Sequence, residues 1–157
     1  MKRKKLAVLS AISAFALVLS GCSSGGEESS GVSIEVPDIP MHEAMGDFEG
    51  ELNIVNWSGF VEPAWTDKFT ADTGCKVNPR VAGTSDEMVT LMRTGNYDIV
   101  SASGDAALRL IVGGDVQPLN IDLIPNFGGE IAAGMKGNIY DTVNGKPYGV
   151  PIGRGAN

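Results

Sequence analysis

Three short apolar runs predict β-strands in the part of the chain that follows residue 50. The run from Leu52 to Asn56 is typical of a buried strand. Residues 76–81 predict a second strand, and Pro79 places it near the edge of a sheet because proline cannot donate a ladder hydrogen bond. The sequence YDIVSAS, residues 97–103, predicts a third strand.

The residues between the first two strands have the spacing of a helix. Pro63 suits the first turn of a helix, where a missing N–H costs nothing. Trp65 and Phe69 lie four residues apart and therefore share one face of that helix. Gly74 is a typical C-terminal stop.

Two more helices are predicted after the second strand. Thr84 and Glu87 have the spacing of a capping box, in which Thr84 is the N-cap and Glu87 reaches back to it. The apolar stripe over residues 88–92 follows, and such a stripe is far more often core than a cofactor site. Glycines end this helix at Gly95 and bound the next one, which is predicted over residues 104–114.

The pattern weakens after the third helix. Residues 116–120 predict a short extended piece, and residues 124–137 a weak helix. Residues 142–148 predict a hairpin, because Asn-Gly is the strongest short turn signal of that kind.

This alternation predicts an α/β fold with a mostly parallel sheet and helices on both faces. In such sheets, ligands bind beyond the carboxyl ends of the strands, where the strand order reverses. Trp57 and Phe60 follow the first strand, and Ser103 and Asp105 follow the third. If those two strands are neighbours, both loops face one crevice.

The N-terminal residues predict export and attachment to a membrane. Residues 1–21 combine four basic residues with an apolar segment that is short for a membrane span, as in a secretory signal peptide. The segment ends in Leu-Ser-Gly-Cys, which resembles the lipobox of bacterial lipoproteins and predicts lipidation of Cys22. Residues 22–50 are rich in Ser, Gly, Glu and Pro and predict a flexible tether to a folded part at 51–157.

Charge and composition narrow the chemistry. Four of the 12 basic residues lie in the signal segment, which leaves eight basic against 19 acidic residues in the remainder. This balance argues against a nucleic-acid partner and suits a cationic ligand. With Cys22 assigned to the lipobox, Cys75 has no partner and is predicted as a buried free thiol. The sole histidine, His42, lies in the predicted tether, so neither histidine-based catalysis nor a histidine metal site is expected, and we predict no cofactor.

Five segments in order resemble bacterial putrescine- and spermidine-binding proteins, which are the solute-binding components of ABC importers. Two of them lie in NWSGFVEPAWTDKFTADTGCKV, namely Asn-Trp with a nearby aromatic residue and the pattern F…TG.KV. The other three are YDIVSAS, GGDVQPLN and YGVPIGRGAN, and together they run from about Leu52 to Asn157. The resemblance implies a type II periplasmic-binding-protein lobe, with ligand held between two lobes joined by a hinge. It also implies that this chain is an N-terminal part whose second lobe is incomplete.

The resemblance implies a role for each of several residues. Trp57 would stack on the ligand's alkyl chain or ammonium group, and Phe60 would pack on its methylene chain. Ser58 and Ser103 match positions that hydrogen-bond the ligand. The alternatives are that Trp57 is a core residue and that both serines have ordinary turn roles. A polyamine has an apolar stem with cationic ends, so aromatic faces can serve both parts of it.

Two departures from the family pattern leave the ligand open. Gly59 stands where several relatives carry an acidic residue, and Gly104-Asp105-Ala106 replaces a segment that is often aromatic. Asp105 is therefore either a ligand carboxylate or an ordinary helix cap.

The leading hypothesis is a non-enzymatic polyamine receptor, lipid-anchored on the outer face of the cell membrane or in the periplasmic space, that delivers solute to an ABC permease. The alternatives are the same fold with another solute (an amino acid derivative, a sugar or a chelated metal), an enzyme on a similar two-lobed scaffold, and a purely structural lipoprotein.

Overall fold

Strands and helices alternate in the part of the chain that a computed structural model describes, residues 34–129 and 131–153. The strands are β1 (Glu51–Asn56), β2 (Lys76–Val81), β3 (Ile99–Val100), β4 (Thr142–Val143) and β5 (Lys146–Pro147). The helices are α1 (Pro63–Thr73), α2 (Ser85–Met92) and α3 (Gly104–Gly113), with 3-10 turns at Ile121–Leu123 and Ala133–Met135. The predicted signal peptide and the predicted lipidation site, Cys22, lie outside the described residues.

The central sheet has the order β2–β1–β3, and all three strands are parallel. Glu51 pairs with Lys76 at one end of β1, and Ile54 pairs with Ile99 on its other side. β2 lies at an edge of the sheet, as Pro79 predicts. The mostly parallel α/β fold predicted from the sequence is therefore confirmed for this sheet.

β3 is shorter than the predicted strand over residues 97–103. Ladder bonds continue for one residue at each end, since Asp98 donates its N–H to the carbonyl of Asn53 (2.9 Å) and Ser101 donates to that of Val55 (2.8 Å). By Ser103, which has extended backbone angles, the chain is already the N-cap of α3. The start of the helix ends the strand.

Helices cover both faces of the sheet, as predicted. Val55 points to the face where α2 and α3 pack, and it forms the core with Met88 and Leu110, all three with no exposed surface. Leu52 and Ile54 alternate with it and point to the opposite face, toward α1. Burial of large apolar side chains on the α2–α3 face is the main driving force for this part of the fold.

α1 has the predicted ends but buries none of its residues. Pro63 is its first residue, and Gly74 ends it in a left-handed conformation, φ 74°, with its N–H donated to the carbonyl of Thr70 (2.8 Å). Trp65 and Phe69 share one face, as their spacing predicts, yet their side chains are 61% and 40% exposed.

The capping box at α2 forms with one difference from the prediction. The Thr84 Oγ1 accepts a hydrogen bond from the N–H of Glu87 (3.1 Å). The Glu87 carboxylate accepts from the N–H of Gly83 (2.9 Å) instead of from that of Thr84. Two backbone donors at the start of the helix are still satisfied.

The weak helix predicted over residues 124–137 is wrong. The described residues there form turns and the short 3-10 turn Ala133–Met135. Four glycines, Gly128, Gly129, Gly134 and Gly137, lie in this stretch, and each costs a helix about 1 kcal/mol relative to alanine. None of the described residues in this stretch is buried, so they provide no buried apolar face to offset that cost.

The hairpin β4–β5 has the predicted Asn-Gly turn. Asn144 and Gly145 both have positive φ, 50° and 77°, as the tight two-residue turn requires. The extended segment before it is joined to β5, because Leu119 donates its N–H to the carbonyl of Pro147 (2.7 Å).

Residues 34–39, within the predicted tether, lie against the hairpin. Asn144 donates its side-chain amide to the carbonyl of Ile34 (2.7 Å), and Lys146 Nζ lies 3.0 Å from the Asp38 carboxylate. Pro37 packs on Gly114, where an added Cβ would lie 3.0 Å from the proline ring. By contrast, residues 40–49 are exposed. The sequence pattern contains no signal for this docking.

Two further findings concern the described residues alone. Cys75 is a buried free thiol, as predicted. No described helix has both the length and the apolar character that crossing a bilayer requires.

Candidate functional site

The candidate site lies at the carboxyl edge of the sheet. β1 and β3 are parallel neighbours, so the loops that follow them leave the same edge. The neighbouring arrangement on which the predicted crevice depends is therefore present. The side chains that these loops bring together define the candidate site.

Three polar side chains meet where α2 and α3 begin. The hydroxyls of Ser85 and Ser103 lie 2.7 Å apart. Ser103 also donates to the Asp105 carboxylate at 2.6 Å, and Ser85 lies 3.3 Å from the same oxygen, Oδ1. The predicted residues Ser103 and Asp105 are thus in direct contact, and Ser85 joins them from the neighbouring helix.

This cluster stabilises the ionised form of Asp105. The hydrogen bond from Ser103 is the largest cause of a lowered pKa for the Asp105 carboxyl, and desolvation by burial, the second-largest cause, opposes it. Further hydrogen bonds from Ser85 and from the backbone N–H groups of Asp105 and Ala106 lower that pKa as well. Asp105 is exposed, so it presents a negative charge to solvent at neutral pH.

Two other charges lie close to this carboxylate on the same helices. Arg109 is one turn after Asp105 on α3, and its guanidinium contacts the Asp86 carboxylate on α2 at 2.6 Å. The Asp86 side chain is 85% exposed, so the pair is solvated and weak. Because Arg109 is matched by Asp86, the Asp105 charge gives the site its net negative sign.

Trp57 lies at the end of β1 and is half-buried. It packs against the core cluster, as does Ala102, the residue before Ser103. Its carbonyl accepts a hydrogen bond from the side-chain amide of buried Asn56 (2.8 Å), which fixes the backbone at this point. The structure thus places Trp57 at the rim of the core, neither fully buried nor exposed.

Ser58 and Phe60 belong to the turn after Trp57. Phe60 donates its N–H to the carbonyl of Trp57 (3.1 Å), and Gly59 between them has φ 82°, a conformation that favours glycine. Ser58 is exposed.

The Phe60 ring faces α1. It lines an open apolar groove of about 260 Å³ together with Trp65 and Phe69. The structure therefore groups Phe60 with the aromatic side chains of α1, whereas Ser103 and Asp105 are grouped with Ser85.

Sequence reasoning missed two residues at this edge. Ser85 follows a capping threonine and reads as an ordinary first residue of a helix. Tyr140 lies in the turn before β4, and its ring packs on Gly104, where an added Cβ would lie 2.7 Å from the ring atom Cγ. No periodicity links Tyr140 to Gly104, since their contact depends on how the chain returns to the sheet.

The described residues contain no group of three or more His, Cys, Asp or Glu side chains arranged to hold a metal ion. What the site offers is one ionised carboxylate with hydroxyl partners, next to aromatic surface. This combination can bind a cationic group through charge, hydrogen bonds and contact with a ring face.

Known proteins that are similar to this chain include one related sequence and two solved structures described below. No protein-family model matches the chain. The putrescine-binding periplasmic protein SpuD of Pseudomonas aeruginosa is 31% identical over 78 residues, which cover 48% of this chain and 21% of that protein. The chain thus matches about a fifth of the length of this curated relative.

Both solved structures are described as spermidine/putrescine ABC transporter proteins. The one from Listeria monocytogenes has a TM-score of 0.55 at 23% identity and covers 59% of this chain and 29% of its own. The substrate-binding protein PotD from Streptococcus pneumoniae has a TM-score of 0.53 at 24% identity, with 58% and 28% covered. At this identity the two structures establish the fold.

These findings agree with the strand order, the helices on both faces and the segments on which the sequence resemblance rests. Over 78 residues the chain is similar to a bacterial putrescine-binding periplasmic protein, as the sequence resemblance predicts, and its folded part shares the fold of these two solved structures.

Proposed function

We propose that this chain is part of the extracytoplasmic solute-binding component of an ABC importer and that its ligand is a polyamine such as putrescine or spermidine. The relationship to a putrescine-binding periplasmic protein supports the class of ligand. The fold shared with two spermidine/putrescine transporter proteins supports the mode of binding, in which the solute is held beside the carboxyl edge of a sheet.

The observation that carries the proposal is the exposed, ionised carboxylate of Asp105 at that edge. Its pKa is lowered chiefly by the hydrogen bond from Ser103, so it keeps its charge well below neutral pH. A primary ammonium group is protonated at the same pH, since its pKa lies near that of lysine. The two groups can therefore form a charge-assisted hydrogen bond.

A cationic ligand must overcome the positive end of the α3 dipole. A helix N-terminus by itself attracts anions. Asp105 is the second residue of α3 and supplies a full negative charge against the dipole's partial one. The acidic balance of the chain, with 19 acidic and 12 basic residues, favours the approach of cations in general.

The aromatic and hydroxyl residues of the β1 loop complete the proposed site. Trp57, which is half-buried at the end of β1, is proposed to stack against the alkyl stem or an ammonium group. Ser58, exposed in the following turn, is proposed as a hydrogen-bonding partner. Phe60 is proposed to bound the stem where the turn meets the α1 groove.

A second candidate is a different small solute on the same fold. Gly59, where relatives carry an acid, has φ 82° and holds no side chain that could pair with an amine. A solute with a single cationic group, or with none, would need only the carboxylate of Asp105 or the serine hydroxyls.

The proposal also covers location and partners. We propose that the protein is exported and anchored through lipidated Cys22, either on the outer face of the cell membrane or within the periplasmic space. We also propose that it docks to an ABC permease. A second lobe is proposed to close over the site, and the role includes no chemical reaction.

Calorimetric titration tests the proposal on the protein as the cell produces it. Putrescine and spermidine are expected to bind, whereas a neutral diol of the same chain length is not. Asp105→Asn is expected to raise the dissociation constant about ten- to a hundredfold, the usual weight of a hydrogen bond to a charged group. Trp57→Ala is expected to raise it by up to about thirtyfold.

The matched control is Asp122→Asn, which removes an exposed carboxylate from the 3-10 turn Ile121–Leu123. It is expected to leave the affinity unchanged. Polyamine binding that survives both Asp105→Asn and Trp57→Ala would overturn the proposed site. Tight binding of the neutral diol in preference to the diamines would overturn the class of ligand.

A further inference from the structure

The contact between Tyr140 and Gly104 places a third aromatic ring at the carboxyl edge of the sheet. A Cβ built on Gly104 would lie 2.7, 2.8 and 3.1 Å from Cγ, Cδ1 and Cδ2 of Tyr140. The ring therefore rests directly on the backbone of the first residue of α3. Asp105 follows Gly104 on α3, so the residue that the ring contacts is adjacent in sequence to the residue that carries the carboxylate.

The backbone of the turn that carries the ring is held by hydrogen bonds. Tyr140 donates its N–H to the side-chain oxygen of Asn138 (2.9 Å). Asn138 in turn donates its N–H to the buried Asp141 carboxylate (3.1 Å), and the Asp141 carbonyl accepts from the N–H of Tyr148 (2.6 Å). These bonds tie the turn that carries Tyr140 to the hairpin β4–β5.

Despite this fixation, Tyr140 is 46% exposed. A tyrosine that served only to cover Gly104 could bury its whole ring, and large aromatic side chains gain most from doing so. A ring fixed on one side and open on the other is a preorganised surface, which costs little entropy when a ligand packs on it.

We propose that Tyr140 is a ligand-contacting residue that packs against the alkyl stem next to the cationic group bound by Asp105. This inference rests on the proposed function and deepens it, because it assigns to the site an aromatic wall contributed by the turn before β4. Gly104 is then a positioning residue: its missing side chain is what lets the ring lie beside the carboxylate.

The test compares ring and backbone variants by calorimetric titration with putrescine and spermidine. Tyr140→Phe keeps the ring and is expected to change the dissociation constant by less than about twofold. Tyr140→Leu is expected to raise it by about two- to thirtyfold, the range for loss of a stacked ring under a cation. Gly104→Ala is expected to do the same, because its Cβ forces the ring away.

A double variant separates positioning from general damage. If Gly104→Ala acts only by moving the ring, it adds little once Tyr140 is already leucine, so the two effects are not additive. Unfolding midpoints recorded without ligand show whether each variant keeps its fold. As a second readout, NMR signals of the Tyr140 ring are expected to shift when putrescine is added.

Every outcome decides between the two proposals. Polyamine binding with full affinity in Tyr140→Leu and an unshifted ring signal overturns the inference and leaves the proposed function standing. Binding of another solute that is weakened by Tyr140→Leu supports the inference and overturns the polyamine assignment. If Gly104→Ala weakens polyamine binding equally whether residue 140 is tyrosine or leucine, the positioning role is overturned. A protein that binds none of the solutes overturns both proposals.

Discussion

The Asp105 carboxylate lies in the first turn of α3 and is exposed to solvent. Backbone N–H groups at the start of α3 help to lower the pKa of its carboxyl, as expected of a residue at a helix N-terminus. The larger cause is the Ser103 hydroxyl, and Ser85 adds to it from another helix. The carboxylate is therefore part of a polar cluster that spans two helices, and it remains exposed.

The first residue-scale prediction concerns this pKa. Ser103→Ala is expected to raise the pKa of Asp105 toward its ordinary value, and Ser85→Ala is expected to raise it less, in the order of their contributions. The measurement is an NMR titration of the Asp105 side-chain carboxyl in each variant and in the parent protein. A larger rise in Ser85→Ala than in Ser103→Ala would contradict the order of the two hydrogen bonds.

The same shift has a consequence for stability in acid. A folded-state pKa below the unfolded value means that the carboxylate stabilises the fold above the unfolded pKa, near 3.9. That contribution is lost as the pH falls through the folded-state pKa. Ser103→Ala is therefore expected to flatten the acid limb of the unfolding curve slightly, since Asp105 is exposed and its contribution is screened by solvent.

Sequence reasoning found two of the three residues of this polar cluster, and it missed Ser85 and the nearby Tyr140. Ser103 and Asp105 are adjacent to the end of a predicted strand, where parallel sheets present their functional loops. Ser85 and Tyr140 come from segments 18 or more residues away, and no local signal relates them to that loop. Such contacts depend on tertiary packing, which the hydrophobic and polar pattern of a single sequence does not reveal.

At the scale of elements, the accuracy of prediction follows the strength of local signals. α1 begins at Pro63 and ends at Gly74, and the threonine cap of α2 forms as predicted. These features depend on backbone geometry within a few residues. β3 and the glycine-rich stretch after residue 124 were predicted less well, because strand length and weak helices depend on partners elsewhere in the chain.

The turn of the hairpin β4–β5 gives an element-scale prediction. Gly145 has φ 77°, a conformation that costs a residue with a Cβ about 1–2 kcal/mol. Gly145→Ala is expected to lower the free energy of unfolding by that amount, even though a Cβ there would meet no atom within 4 Å. Denaturant unfolding provides the measurement.

The matched control is Gly129→Ala. A Cβ at Gly129 also meets no atom within 4 Å, but its φ is not in the left-handed range. It is expected to be neutral or to stabilise slightly, since alanine reduces the conformational entropy of the unfolded chain. If the two variants had equal effects, the positive φ of Gly145 would not explain its cost.

In the molecule as a whole, the docked segment 34–39 divides the described part of the predicted tether into a docked part and an exposed part. Its side chains and backbone contact the hairpin and Gly114, whereas residues 40–49 make an exposed link to β1. The composition of residues 22–50 does not show this division, since Ser, Gly and Pro are spread across it while the docking rests on a few contacts. The segment therefore has two parts with different accessibility.

Limited digestion with thermolysin, which cleaves beside large apolar residues, tests this division. Early cleavage is expected at Met45 and Phe48, which are 66% and 70% exposed, and slower cleavage at half-buried Ile39. A protease must draw several extended residues into its cleft, so the docked segment has to detach before it is cut. Mass spectrometry of the fragments over time gives the order of the cuts.

The strength of the ion pair between Lys146 and Asp38 determines how much faster Ile39 is cleaved when Lys146 is replaced. Both side chains are mostly exposed, 51% and 94%, so the pair is worth at most about 1 kcal/mol. When cleavage follows local opening, its rate tracks the open population. Lys146→Gln is therefore expected to speed cleavage at Ile39 by up to about fivefold and to leave cleavage at Met45 unchanged. The substitution lies in β5, far in sequence from either cleavage site, so it cannot change the sequence that the protease recognises there. Equal acceleration at both sites would show that the hairpin does not hold the segment.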